Sequence, residues 1–196
     1  GVDSLLLDRK ITSVRLVTNP ERMVVKETQR AFMYFCLYGL VVDAIVVNRL
    51  FPDCLKEGYF ADRLISQKKS MEHISQIFSP IPILNAPILK HEAIGVDRLN
   101  EMGGLVYGQT LDTSSILHDD EIYKINRIGD DYELKMKLPF ITKDYIDLFK
   151  DEGDLVIRIG YFKSHVFLPR SLFLPKPAGA KLDGDILTVK FPKHDL

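Results

Sequence analysis

The run VVDAIVVN at residues 41–48 constrains this chain more than any other segment. Its apolar, mostly β-branched side chains follow one another instead of alternating, which is the pattern of a strand covered on both faces. Such strands belong to parallel sheets, and the flanking segments have the helical rhythm that parallel crossovers need. Upstream, SVRLVT reads as a short strand; Asn19 then reads as a helix cap, Pro20 as a first-turn residue and Glu21 as a complement to the helix dipole. Val24, Thr28, Ala31, Phe35 and Tyr38 recur at helical spacing, and Gly39 reads as the stop.

Downstream, Glu57 to Phe78 carries Phe60, Leu64, Met71, Ile74 and Phe78 at helical spacing, with Lys68, Lys69 and Glu72 on the polar face. PIPIL reads as a third short strand and NAPILKHEAIG as a loop entering a helix whose apolar stripe is Leu99, Met102 and Val106. GGLVYG weakens and ends that helix. Past the Ser/Thr/Asp-rich QTLDTSSILHDD the rhythm changes to period two. In YELKMKL, Tyr132, Leu134, Met136 and Leu138 alternate with Glu133, Lys135 and Lys137. With EIYKINRI, DLVIRIG, HVFLP and DILTVKF, and a turn at Gly129 and Asp130, this reads as an antiparallel sandwich.

Composition narrows the function. With 26 Lys+Arg against 27 Asp+Glu, no bulk positive charge is available for a nucleic-acid backbone, and no nucleic-acid partner is expected. Asp43 interrupts the longest apolar run, which is too short to span a bilayer, so no membrane span is expected. The opening GVDSLLLDRK has no Met, basic n-region or long h-region and reads as an internal start, a fragment. Cys36, in an apolar run, reads as a buried thiol, and Cys54 has no CxxC partner. A disulfide between the two is not the expected state, in keeping with a reducing compartment. The five histidines show no HxxxH or HExxH spacing, and no metal site is expected. The sequence holds no GxxxxGK[ST] loop, GxSxG elbow or GxGxxG after a strand, and no catalytic residue is assigned.

The ordered series TNPERMVVKETQRA, VVNRLFPD and PIPILNAPILKHEAIGVDRL resembles the C-terminal half of the nucleotide-binding domain of ArsA-type ATPases. That family includes the arsenite-pump ATPase and the ATPases that target tail-anchored membrane proteins. The resemblance runs from Ser13 to Val106 and implies a partial P-loop NTPase-type α/β parallel sheet. It places Asn48 at the adenine base, Glu21 at the nucleotide site near a dimer interface, and Pro87 and Ile88 in the loop covering the adenine. It implies ATP as the bound nucleotide, with Mg²⁺ in the complete protein, since the phosphate loop and catalytic aspartate of the family lie upstream of the matched segment. A plainer reading stands beside each residue. Glu21 suits any first helical turn, Asn48 any strand end that bonds its own backbone, and Pro87 any turn.

YELKMKLPFITKDYIDLFKDEGDLVIRIG, FLPRSL and AGAKLDGDILTVKFPK resemble an α-crystallin domain of the small heat-shock protein type, an all-β sandwich. The expected organisation is residues 1–108 as the ATPase part, 109–120 as a linker and 121–196 as the sandwich. Together the resemblances imply the C-terminal portion of an ArsA-like ATPase. In the complete protein, hydrolysis would be coupled to client binding, targeting or anion transport, in a homodimer with a tail-anchored or other hydrophobic client. The implied compartment is the cytoplasm, or the plastid stroma in a photosynthetic eukaryote. The alternative is a non-catalytic chaperone or scaffold that acts through the sandwich.

Overall fold

The structure is a computed structural model that describes residues 1–52, 58–108, 112–151 and 153–192. Cys54, Glu57, the start of the expected linker at 109–111, and His194 lie outside the described residues. The chain divides into two compact units, Gly1–Gln29 with Val42–Asp119, and Arg30–Val41 with Asp120–Leu196.

In the first unit, a short helix α1 (Val2–Leu6) precedes β1 (Val14–Thr18), the long helix α2 (Arg22–Leu37), of which only the part up to Gln29 belongs to this unit, and β2 (Val42–Leu50). A single 3₁₀ turn at Gly58–Phe60 leads into α3 (Ala61–Phe78), followed by β3 (Ile83–Pro87) and α4 (Val96–Tyr107). The three strands form a parallel sheet in the order β1-β2-β3. Val42 to Val47 are all buried, as the unbroken apolar run requires of the central strand. Leu64, Ile74 and Phe78 are the buried residues of α3, on one helical face.

The start of α2 differs from expectation. The Val25 amide donates to the Glu21 carbonyl, which makes Glu21 the capping position and leaves Asn19 and Pro20 outside the helix. Glu21 N–H instead donates to the Asn19 carbonyl at 2.7 Å, a three-residue turn whose centre, Pro20, has the fixed φ such a turn uses. The buried stripe of α2 also differs. It is Val25, Thr28, Phe32, Met33, Cys36 and Leu37, while Tyr38 is exposed. AFMYFCLY is apolar at almost every position, so hydropathy alone leaves the rotation of the helix open. The stop at Gly39 is as read: Leu40 N–H bonds the Phe35 carbonyl and Gly39 N–H that of Cys36, with Gly39 at φ 76°.

The third strand begins later than PIPIL. Pro80 and Pro82 have no N–H to give a ladder, and the Pro82 carbonyl is the first group to pair, accepting from Ile45 N–H at 2.9 Å. The Leu99, Met102 and Val106 stripe of α4 is not buried: α4 has no buried residue, and Leu99 is exposed.

At the start of the central strand β2, Asp43 is fully buried. Arg15 Nε and Nη2 reach its two carboxylate oxygens at 3.3 and 3.2 Å, and the Leu117 amide donates to Asp43 Oδ2 at 3.2 Å. Arg15 also donates to the carbonyls of Thr113 and Ser115 and lies over the Tyr107 ring, 5.6 Å from its centre. The Ser/Thr/Asp-rich segment is thus pinned from residue 113 to 117 by one ion pair.

In the second unit, β4 (Tyr123–Ile128), β5 (Asp131–Lys137), β6 (Ile146–Asp151), β7 (Asp154–Ile159), β8 (Phe162–Val166), β9 (Gly179–Asp183) and β10 (Ile186–Phe191) form two antiparallel sheets. Their orders are β4-β5-β10-β9 and β6-β7-β8. Gly129 and Gly184 open two-residue hairpin turns at φ 63° and 56°, values that suit the twist of the flanking strands and exclude most side chains. Leu134, Met136 and Leu138 from one face of β5 and its extension pack with Leu155, Ile157, Leu187, Val189 and Phe191, as the period-two pattern requires. Met33 and Leu37, from the second half of α2, belong to this same core. β6 and β9 were not among the expected strands, and the strand expected at HVFLP is Phe162–Val166.

Candidate functional site

The carboxyl ends of β1, β2 and β3 converge on one edge of the first unit, the edge where parallel α/β sheets bind ligands. A cleft of about 230 Å³ opens there. Pro20 and Glu21 reach it from the turn after β1, Arg49 and Phe51 from the end of β2, Ile88 from the residue after β3, and Arg63, Ser66 and Gln67 from α3.

The end of β2 is built around a bulge. Val47 pairs with Asn85 and Leu50 with Pro87, so three steps on β2 match two on β3. The extra residue is absorbed at Asn48 and Arg49, where Arg49 takes φ 59°, a conformation costly for any side chain with a Cβ. Asn48 Oδ1 accepts the Arg49 amide at 2.9 Å and so fastens the turn. The pairing resumes when Ile88 N–H donates to the Leu50 carbonyl at 2.9 Å, which ties the loop after β3 to the bulged strand.

Two further contacts hold the cleft in shape. The Gln67 amide pairs with Phe51 like a strand: Phe51 N–H donates to Oε1 at 2.8 Å, and Nε2 donates to the Phe51 carbonyl at 3.1 Å. Behind the lining residues the hydroxyls of Thr18 and Thr28 lie 2.9 Å apart, both buried, and join the end of β1 to α2.

Glu21 and Ile88 therefore share one cleft. Asn48 and Pro87 are not part of its lining but sit next in sequence to Arg49 and Ile88, which are. The Asn48 carbonyl oxygen is engaged by its own chain, as the plainer reading held; a second lone pair and the NH₂ group remain for a ligand. Arg49, Arg63 and Gln67 were not singled out from sequence. Arg49 stands inside the quoted VVNRLFPD, whereas Gln67 falls on the polar side of α3 with nothing to mark it. Chemically, the cleft offers two guanidinium groups, one carboxylate, an amide and a hydroxyl against apolar walls from Pro20, Phe51 and Ile88. That set suits a planar polar group carried on an anion. Among the described residues no group of three or more His, Cys, Asp or Glu side chains is placed to hold a metal.

The family model described as Anion-transporting ATPase matches residues 1–108. The chain belongs to this family. A second model, the HSP20-like domain found in ArsA, matches residues 129–191 and covers most of the sandwich. A protein of Aquifex aeolicus named after arsenical pump-driving ATPases is 39% identical over 193 residues, 96% of this chain and 48% of that protein. One from Chlorobaculum tepidum, similarly named, is 34% identical over 97% of this chain and 47% of its own length. ATPase GET3 of Chaetomium globosum is 31% identical over 110 residues, 54% of this chain and 32% of that protein. The chain thus spans about half the length of the family members it matches end to end. Among solved structures, a small heat-shock protein from Xylella fastidiosa is similar at 21% identity and TM-score 0.30, covering 38% of this chain and 85% of that one. No helix among the described residues is long and apolar enough to cross a membrane.

Proposed function

We propose that this chain contributes the adenine side of an ATP site in an ArsA-like ATPase. Asn48 would read the base edge, Glu21 would stand at the nucleotide, and Pro87 and Ile88 would carry the loop over the ring. The observation that supports this most is the bulge at Asn48 and Arg49, which sets an amide beside the Glu21 and Ile88 cleft at the ligand edge of the sheet. Phosphate handling, Mg²⁺ and hydrolysis would fall to residues beyond the 196 of this sequence, because no phosphate loop occurs in it. In the complete protein, a homodimer in the cytoplasm or plastid stroma, turnover would be coupled to a tail-anchored or other hydrophobic client, or to anion transport. Calorimetric titration of ATP into the complete protein tests the assignment. Asn48→Ala should weaken binding about tenfold, with stability lowered by no more than about 1 kcal/mol through the lost bond to the Arg49 amide; an unaltered affinity overturns it.

A second reading rests on the sandwich. A groove of about 680 Å³ lies along the edge strand β6, between Leu148 and Phe149 on one side and Phe173, Leu174 and Pro177 on the other. Phe149, Phe173 and Leu174 are exposed, and an extended apolar segment could add to such an edge. Suppression of the aggregation of a heat-unfolded model protein, without nucleotide, supports a chaperone or scaffold role. Failure to suppress it, together with ATP binding by the complete protein, supports the ATPase reading.

A further inference from the structure

Further along the same helices, α2 and α3 enclose a second cleft of about 350 Å³. Arg22, Lys26 and Gln29 line it from α2, and Lys69, Ser70 and His73 from α3, over a floor made by the buried Val25. On α2 the lining residues recur at three and four residues, so they form a single face; Lys69 and His73 stand one turn apart on α3. Every lining side chain but Val25 can donate a hydrogen bond, and none is a carboxylate. Among the described residues neither Arg22, Lys26, Lys69 nor His73 has an ion-pair partner, although Glu27, Asp62 and Glu72 are on the same two helices.

Two helix faces that meet usually present apolar groups or opposite charges to each other. Here cations face cations, Arg22 and Lys26 from one helix and Lys69 from the other, and Arg22 with Lys26 repel along α2 as well. The arrangement becomes favourable once a compact anion enters. A single carboxylate would leave most of this charge uncompensated, whereas a diphosphate-type group supplies several acceptor oxygens and more than one negative charge within the cleft. Arg22 provides the planar fork that grips phosphate oxygens in pairs, and Lys26 and Lys69 supply point charges from opposite walls.

We propose that the cleft between α2 and α3 binds a multiply charged phosphate group, at a site separate from the Asn48 edge. A soluble oligophosphate and a phosphorylated lipid headgroup share this chemistry.

The test is calorimetric titration of inorganic pyrophosphate into the 196-residue chain, beside co-sedimentation with phosphatidylcholine vesicles with and without phosphatidylinositol bisphosphate. Lys26→Gln/Lys69→Gln should weaken binding by about tenfold for each lysine removed, with a melting transition no lower than the parent's, since like charges are removed from facing helices. Lys10→Gln/Lys90→Gln, which removes equal charge from exposed positions outside the cleft, should leave it intact. Saturable pyrophosphate binding lost in the first variant alone supports a soluble phosphate. Binding only to the phosphoinositide vesicles, lost in the same variant, supports a lipid headgroup. Binding of neither probe, binding retained in Lys26→Gln/Lys69→Gln, or equal loss in both variants overturns the proposal.

Discussion

Arg15 grips both carboxylate oxygens of Asp43, at 3.3 and 3.2 Å, and Asp43 has no exposure to solvent at all. The bond to Asp43, above other contributions, holds the Arg15 guanidinium above its ordinary range. Such a pair is costly to break and cheap to replace, because the loss falls on the charge left behind. Asp43→Asn should lower unfolding free energy by about 3 kcal/mol in urea titration. Arg15→Met with Asp43→Leu should recover most of that loss, to within about 1–2 kcal/mol of the parent. The Thr113 and Ser115 carbonyls that Arg15 now serves are exposed and can turn to water, whereas the Leu117 amide loses its acceptor and accounts for the remaining deficit. A double variant as unstable as Asp43→Asn would show that the segment at 113–117, not the buried charge, carries the energy.

Cys36 is fully buried, and burial pushes its thiol up to about 12 from an ordinary value of 9.0. Lys137 pulls it back in part, while Asp185 and Asp120 push it further up. The folded thiol therefore stays protonated where the unfolded one ionises. Stability from this group is complete below pH 9 and is lost as pH rises from 9 toward 12, by about 1.4 kcal/mol for each pH unit. In a Cys54→Ser background, alkylation of Cys36 at pH 8 should track global unfolding across a urea series. Rapid labelling in native buffer would contradict the burial.

Arg49 is held at φ 59° by the bulge, a conformation that glycine adopts freely. Relief of about 1–2 kcal/mol of backbone strain is offset by glycine's extra unfolded-state freedom, so Arg49→Gly should gain roughly 0.5 kcal/mol in stability. The same change removes a guanidinium from the cleft and should weaken ATP binding by the complete protein. Loss of stability and of affinity together would mean that the Arg49 side chain, not its backbone, shapes the turn.

The architecture was legible wherever one physical rule acted alone. Val42 to Val47 could only be a strand covered on both faces, and the alternation from Tyr132 to Leu138 could only be half-buried. Legibility failed where every choice looked equally apolar, as in AFMYFCLY, or where polar groups took structural roles. IDLFKD hides a strand because Lys150 sits where a strand reading wants an apolar side chain, and GAKLD because all its residues but Leu182 are small or charged. At the candidate site, Glu21 and Asn48 stood in quotable motifs, but their neighbours Arg49 and Gln67 gain their positions from a one-residue slip between β2 and β3 and from an amide paired with Phe51. Neither a register slip nor a side chain acting as a strand leaves a local trace in sequence.

Lys150 shows what its odd placement in β6 achieves. Its ammonium donates to the carbonyls of Leu172, Phe173 and Pro175, the last at 2.9 Å, and so fastens the segment before β9 to the edge of the other sheet. Desolvation holds this ammonium below its usual pKa, a cost that the three carbonyl bonds offset. Lys150→Met keeps most of the stem and removes the charge. Three carbonyls then lose a charged donor, so stability should fall by about 2 kcal/mol, with some of them regaining water. Hydrogen exchange should rise first at the Leu172 amide, which donates to the Pro169 carbonyl, and Lys150→Arg should restore part of the protection, because a guanidinium can still reach carbonyls from the same strand position. Unchanged exchange in Lys150→Met would mean that Leu172, fully buried in the sandwich core, is anchor enough for the segment.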